Sequence, residues 1–362
     1  MASYFLVGEE SFSANENRYL AKKPSFNLDS LLEGRFTQEL EKYVDDQFVF
    51  RNRAMEAKTQ ILKALGRQDI NGVYLAQDNY LIEKIGEEDL DQEQFNKNIQ
   101  ALRSFSDQWA GQELRSLIVP TAGLVLKDKL PSLAPQIQED RLLDQLAEDL
   151  GPGFIDLRPR LEAQKEDYLY YRTDHHWTSL AAYLAYEELA QLEGRQVSLE
   201  DYRIERVSRD FRGSLYSKIL DRSIPADEID LFHPKSPVDY RVYYDFGSQE
   251  SDSVYSRESL EEKDQYKVFL GGNYPELKIQ GENKNNRRLL IFKDSYANAL
   301  LPFLVGDYES ISLVDLRYFK ADLEAYIEEN QINEFLLVYN IKNFSSDENI
   351  EKLNIGQKNR NR

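Results

Sequence analysis

The stretch Arg287-Arg288-Leu289-Leu290-Ile291-Phe292-Lys293-Asp294-Ser295-Tyr296-Ala297-Asn298-Ala299-Leu300 decides how this chain is read. Residues 288–292 form a short, continuously apolar run, the pattern of a strand buried on both faces. A polar turn follows, and residues 297–305 then read as a helix. Ser295 therefore falls at the carboxyl end of a strand and the amino end of a helix. In open α/β sheets, sites gather beyond the carboxyl ends of strands. A helix amino end also offers free N–H groups and a positive dipole, which stabilise a developing oxyanion. Taken alone, the turn reads as readily as a plain Ser or Asp helix cap.

The same alternation extends outward. Downstream, 310–314 reads as a strand, 323–329 as a helix and 335–339 as a strand. Upstream, 92–111 reads as a helix, 114–119 as a strand ending at Pro120, 139–149 as a helix and 153–157 as a strand. Residues 180–192 are a strong helical pattern ended by Gly194. This order predicts an α/β core with a mainly parallel sheet. Residues 200–280 differ: strand-like pieces at 202–207, 240–244, 266–270 and 277–280 are separated by charged loops. They predict a β-rich insertion over about 200–265. Near the amino end, 36–65 carries helical periodicity through Phe36, Leu40, Tyr43, Val44 and Phe48. Residues 73–75 and 80–82 flank Gln77-Asp78-Asn79, a hairpin signal. Residues 1–35 read as a lead-in, 36–345 as the folded domain and 346–362 as a polar tail expected to fray.

A serine hydroxyl is a poor nucleophile at neutral pH until a base takes its proton. The chain has three histidines, and two stand in Thr173-Asp174-His175-His176-Trp177-Thr178. Asp174 and His176 can supply an orienting carboxylate and a base. His175 is an alternative base. Asp174, His175 and His176 could also hold a metal, with only His233 left as a further histidine ligand, or the cluster could cap a loop. A third segment, Val268-Phe269-Leu270-Gly271-Gly272-Asn273, ends in residues that let backbone approach a ligand and let an amide donate to an oxyanion. A simple turn is the commoner use of such a sequence. Asp315 and Asn340 follow apparent strand ends, where each could meet a substrate or cap a turn. Arg212 could bind an acidic group or form a surface salt bridge.

Bulk composition narrows the classes. With 64 acids against 45 bases the formal charge is −19, which disfavours nucleic acid as a partner. The absence of cysteine removes disulfides, thiolate catalysis and cysteine-ligated zinc. The 23 tyrosines offer flat amphipathic surfaces that suit sugars as well as ordinary cores. No apolar run approaches the roughly 18–20 residues of a membrane span.

With these segments together, the chain resembles the DHHW family, named for the run at 174–177. That family is similar to the SGNH hydrolases and to the alginate O-acetylation proteins of the AlgJ/AlgX type. Supporting pieces are Glu16-Asn17-Arg18, 71–75, Val119-Pro120-Thr121, 211–215, Gly271-Gly272-Asn273 and Asp315-Leu316-Arg317. The resemblance implies an SGNH-hydrolase-like three-layer sandwich with permuted motif order. It implies Ser295 as nucleophile, His176 as base and Asp174 as its orienter. Asn273 is the oxyanion candidate, and His175, Tyr296, Arg212, Asp315 and Asn340 are the substrate-binding candidates. Two departures stand out: Lys293 replaces the usual glycine before Asp-Ser, and the pair is Asp-x-His rather than Asp-x-x-His. No metal and no cofactor are expected. The activity implied is O-acetylation of a cell-surface or secreted polysaccharide, with acetylesterase activity when water replaces the sugar. The partner implied is a membrane-bound O-acyltransferase that supplies acetyl groups. The location implied is outside the membrane, on an amino-terminal anchor; the absence of cysteine fits the surface of a Gram-positive bacterium and also many cytosolic proteins. The rivals are a catalytically silent polysaccharide-binding scaffold and a metal-dependent hydrolase.

Overall fold

The structure, a computed structural model, describes residues 11–13, 18–48, 50–135 and 138–354. The Glu16-Asn17 part of the early motif and most of the first ten to seventeen residues lie outside that range. Eight strands make the central sheet: β1 (Glu113–Val119), β2 (Phe154–Ile155), β3 (Tyr240–Tyr244), β4 (Gln249–Ser251), β5 (Glu276–Gly281), β6 (Arg288–Lys293), β7 (Ser310–Val314) and β8 (Glu334–Asn340). Their order across the sheet is β4-β3-β5-β7-β6-β8-β1-β2. From β7 to β2 every pairing is parallel. The other edge, β5, β3 and β4, is antiparallel. The sheet is thus mainly parallel, as the alternation predicts.

Strand β6 shows why the sheet is covered on both sides. Successive side chains of a strand point to opposite faces. Leu289 and Ile291 join one apolar cluster, while Leu290 and Phe292 join the other. On the first face lie the helices Ser179–Leu192 and Ala297–Leu304; on the second lie Gln92–Gln108, Glu139–Leu150, Leu323–Glu329 and Ile341–Ser346. Each large apolar side chain buried this way contributes about 1.5–3 kcal/mol. A central strand with four of them fixes its own register, because a one-residue slip would exchange the two faces.

Several expectations change in detail. The 36–65 pattern is two helices, Arg35–Asp46 and Arg51–Ala64. Residues 266–270 are not a strand: Gln265–Val268 is a 3₁₀ turn that leads into a single bridge between Phe269 and Tyr255. Of the β-rich stretch, Tyr202–Phe211 and Asp227–Pro234 pair as a separate two-stranded sheet, while β3 and β4 extend the central one. The expected fraying does not hold for the described part of the tail, because Glu348–Asn354 packs down with Ile350 and Leu353 buried; residues 355–362 lie outside the described residues. Asn98 in the 92–108 helix donates to the Phe344 and Asp347 carbonyls and holds that turn.

Candidate active site

Residues 169–178 fold back on themselves. The Tyr171 N–H donates to the His176 carbonyl, and the Thr178 N–H to the Leu169 carbonyl. This places Asp174 and His176 at the tip, in front of the carboxyl end of β6. His176 Nδ1 lies 2.6 Å from Asp174 Oδ1, and Nε2 lies 2.7 Å from Ser295 Oγ. Burial would raise the Asp174 carboxyl, but the two neighbouring imidazoles and the Ser214 N–H outweigh it. Asp174 is therefore held well below the usual carboxylate range and stays ionised. An ionised Asp174 accepts from the Nδ1–H, which leaves Nε2 as an acceptor for the Ser295 hydroxyl. Burial, then the charge of His175, pulls His176 down to about 4. The imidazole is thus neutral at physiological pH, the state a general base requires.

Two further segments clamp this geometry. The Ser214 N–H donates to Asp174 Oδ2 at 2.7 Å. Gly213 lies so close that a Cβ there would stand 2.3 Å from that oxygen. Only glycine lets the 211–215 segment approach Asp174 this closely. Behind the tip, fully buried Asp227 accepts from the Arg172 and Thr173 N–H groups at 2.8 and 2.7 Å, and from the hydroxyls of Thr173 and Tyr168. Asp227 opens the strand Asp227–Pro234, but in sequence it stands among other acids with no pattern that separates it, so sequence reasoning missed it. Tyr266 was missed in another way, being read as part of a strand. Its ring stacks on His176 at 3.8 Å, and its hydroxyl donates to the Ser295 carbonyl.

The serine turn is equally constrained. Asp294 accepts from the N–H groups of Tyr296 and Asn340 and from the Asn343 amide, at 2.7–2.9 Å. Burial nonetheless raises this carboxyl. Trp177 Nε1 donates to the Tyr296 carbonyl at 2.9 Å, and the Tyr296 hydroxyl donates to the His175 carbonyl. These two bonds join the histidine loop to the serine turn. The Ser295 N–H has no hydrogen-bond partner among the described residues, as an oxyanion donor should.

The remaining candidates divide. His175, half-buried, lines a cavity of about 250 Å³ with Tyr296, Ser214, Glu83, Lys218 and Lys342, and its Nδ1 faces the Ser214 hydroxyl at 2.8 Å. Asn273 is exposed, and its oxygen accepts from Lys293 at 3.2 Å. Asp315 is not open to a substrate: it is fully buried and chelated by Arg317 at 2.6 and 2.9 Å. Asn340 borders the cavity, but its amide caps the 341–346 helix and donates to the Val119 carbonyl. Arg212 does not form the expected salt bridge among the described residues: it donates to the Ile224 carbonyl and lies over the Tyr216 ring at 4.5 Å. Asp174, His175 and His176 offer atoms within 4.8 Å of one another, close enough for an ion. Both ring nitrogens of His176 are already engaged, so an ion there would displace Ser295 or Asp174. His233 stands apart, at Glu205.

The run at 174–177 sits at the centre of this arrangement. Residues 143–314 match the family model described as DHHW protein. A DHHW family protein from Eubacterium siraeum has a similar structure, with 26% identity over 78% of this chain and 96% of that one, at a TM-score of 0.67. Bacillus cereus PatB1, solved with a sulfonyl adduct, shares the fold at 22% identity over 76% and 97% of the two chains, with a TM-score of 0.63. The O-acetyltransferase domain of Pseudomonas putida AlgJ is more distant, at 16% identity over 76% and 93%, with a TM-score of 0.48. No curated protein matches this chain. In DHHW terms, the model covers the histidine loop, the Gly213 approach, the Gly-Gly-Asn segment and the serine turn together.

Proposed function

We propose that this protein is a serine O-acetyltransferase that places acetyl groups on hydroxyls of a cell-surface or secreted polysaccharide. One observation carries the reading: the unbroken line from the Asp174 carboxylate through the His176 imidazole to the Ser295 hydroxyl, at 2.6 and 2.7 Å. In the first step Ser295 Oγ bonds to the acetyl carbon while His176 Nε2 takes its proton. The carbonyl oxygen becomes an oxyanion beside the Ser295 N–H. Collapse breaks the bond to the donor's leaving group, which takes the proton from His176. The acetyl-serine is then attacked by a sugar hydroxyl, whose proton passes to Nε2 and on to Ser295 as the ester bond breaks. With water as acceptor the same cycle is an acetylesterase.

The match to the DHHW family supports this reading, as does the half-buried cavity beside His175 where an acceptor can approach. We assign the acetyl supply to a membrane-bound O-acyltransferase and the reaction to the outer side of the membrane. No helix of the described residues is long and apolar enough to cross a membrane. The test is mass spectrometry of the protein after reaction with a small activated acetyl ester. Acetyl on Ser295 that oligosaccharide acceptors remove is the expected result. A silent binding protein would leave Ser295 unlabelled, and a plain esterase would lose its acetyl group to water at a rate no sugar changes.

A further inference from the structure

Lys293 is a buried cation that the chemistry above leaves unused. Its side chain is 3% exposed, and no carboxylate among the described residues lies within ion-pair distance of its ammonium. Buried charge without a counter-charge is unfavourable unless other groups hold it. Here two amide oxygens do: Nζ donates to Asn298 Oδ1 at 2.7 Å and to Asn273 Oδ1 at 3.2 Å. Burial pulls the ammonium down to about 8, while Asp315 and Asp294 oppose that fall from a distance.

Its position is specific. Along β6, Leu289, Ile291 and Lys293 point to the same sheet face, the one on which the 179–192 helix and the histidine loop lie. Asn298 sits in the first turn of the helix after Ser295. Asn273 follows two left-handed glycines, Gly271 at φ 77° and Gly272 at φ 133°. The segment 265–273 thus meets the site at both ends, with Tyr266 on His176 and on the Ser295 carbonyl, and Asn273 on Lys293.

An ammonium can only donate. Both amides must therefore turn their oxygens toward it, and the Asn273 amide group is forced to point its N–H bonds away. Those bonds have no protein partner among the described residues. We propose that Lys293 is a positioning residue, holding the Asn273 oxygen so that the Asn273 N–H donates, beside the Ser295 N–H, to the oxyanion of acetyl transfer. The assignment rests on the serine acetyltransfer reading. It gives the lysine that replaces glycine before Asp-Ser a role, and the buried positive charge gains its counter-charge only while the oxyanion exists.

Esterase kinetics of the full chain with a small activated acetyl ester test the assignment. Lys293→Met and Asn273→Ala should each lower kcat by about 100-fold with little change in KM. The double variant should be no worse than either single one, because both remove the same donor. Asn273→Asp keeps the contact as an ion pair but loses the N–H, so kcat should fall similarly while Tm holds or rises. Wild-type kcat should decline as pH climbs through about 8, where the ammonium loses its proton, and Lys293→Met should lack that limb. Multiplying losses in the double variant, or full kcat in Asn273→Asp, would overturn the assignment and leave the triad intact. If wild-type turnover does not depend on Ser295, the acetyltransfer reading fails first and the assignment falls with it.

Discussion

Two buried aspartates, Asp174 and Asp294, sit near the same candidate serine, and they behave in opposite ways. Each accepts three or more hydrogen bonds, and each belongs to a tightly tied turn. Asp174 faces two imidazoles and stays ionised well below its ordinary range. Asp294 accepts hydrogen bonds only from amide groups, and burial drives it upward against these bonds and the more distant Lys293 charge. Hydrogen bonds alone do not make a carboxylate catalytic. What separates the two is whether the group hydrogen-bonded to the carboxylate can itself become positive when the proton moves.

The largest effect that sharpens this contrast is at the serine between them. Ser295→Ala should lower acetyl-ester turnover by roughly 10⁴-fold or more, measured on protein of unchanged Tm. Asp174→Asn should come next, at about 10⁴-fold in kcat, because the amide no longer fixes the imidazole's tautomer. Asp294→Asn should instead cost about 1–3 kcal/mol of stability, with kcat within tenfold. Similar kcat losses in the two Asn variants would erase the distinction drawn here. Gly213→Ala should follow, since its methyl overlaps Asp174; a Tm drop and a roughly 10–100-fold activity loss are expected together. Retained activity would mean that the 211–215 segment is free to move away.

The smallest effect concerns pH. His176 must be neutral to accept the serine proton, so activity should fall as pH drops through about 4. His175 helps to depress His176, so His175→Ala should move that acid limb upward while leaving most of kcat. A loss in His175→Ala exceeding that in His176→Ala would transfer the base role to His175.

The core of this arrangement was legible because its signals are local. An apolar run, a polar turn and a helix at 288–305 can fold in few other ways, and two of three histidines beside an aspartate are conspicuous. Other parts rest on contacts that no local pattern encodes. Asp227 is one acid among 64, and its value comes from four donors on a loop 54–59 residues away. The 266–270 segment alternates like a strand, yet it curls so that Tyr266 can stack on His176. Asp315 sits at a strand end, as substrate groups often do, but Arg317 two residues on closes it to solvent. The stretch 346–354 is polar in sequence, yet Ile350 and Leu353 are buried and pin it.

The Ser295 hydroxyl and the His176 imidazole bonded to it are separated by 119 residues of chain. The exposed turn at Asp245-Phe246-Gly247, between β3 and β4, falls between them. A chain released part-way through synthesis, or nicked at that turn before folding, therefore carries only one half of this hydrogen-bonded pair on each piece. On the proposed function, reactivity toward an ester should appear only once both halves have come together, so the rate of acetyl-ester turnover during refolding should also be a clock for completion of the sheet.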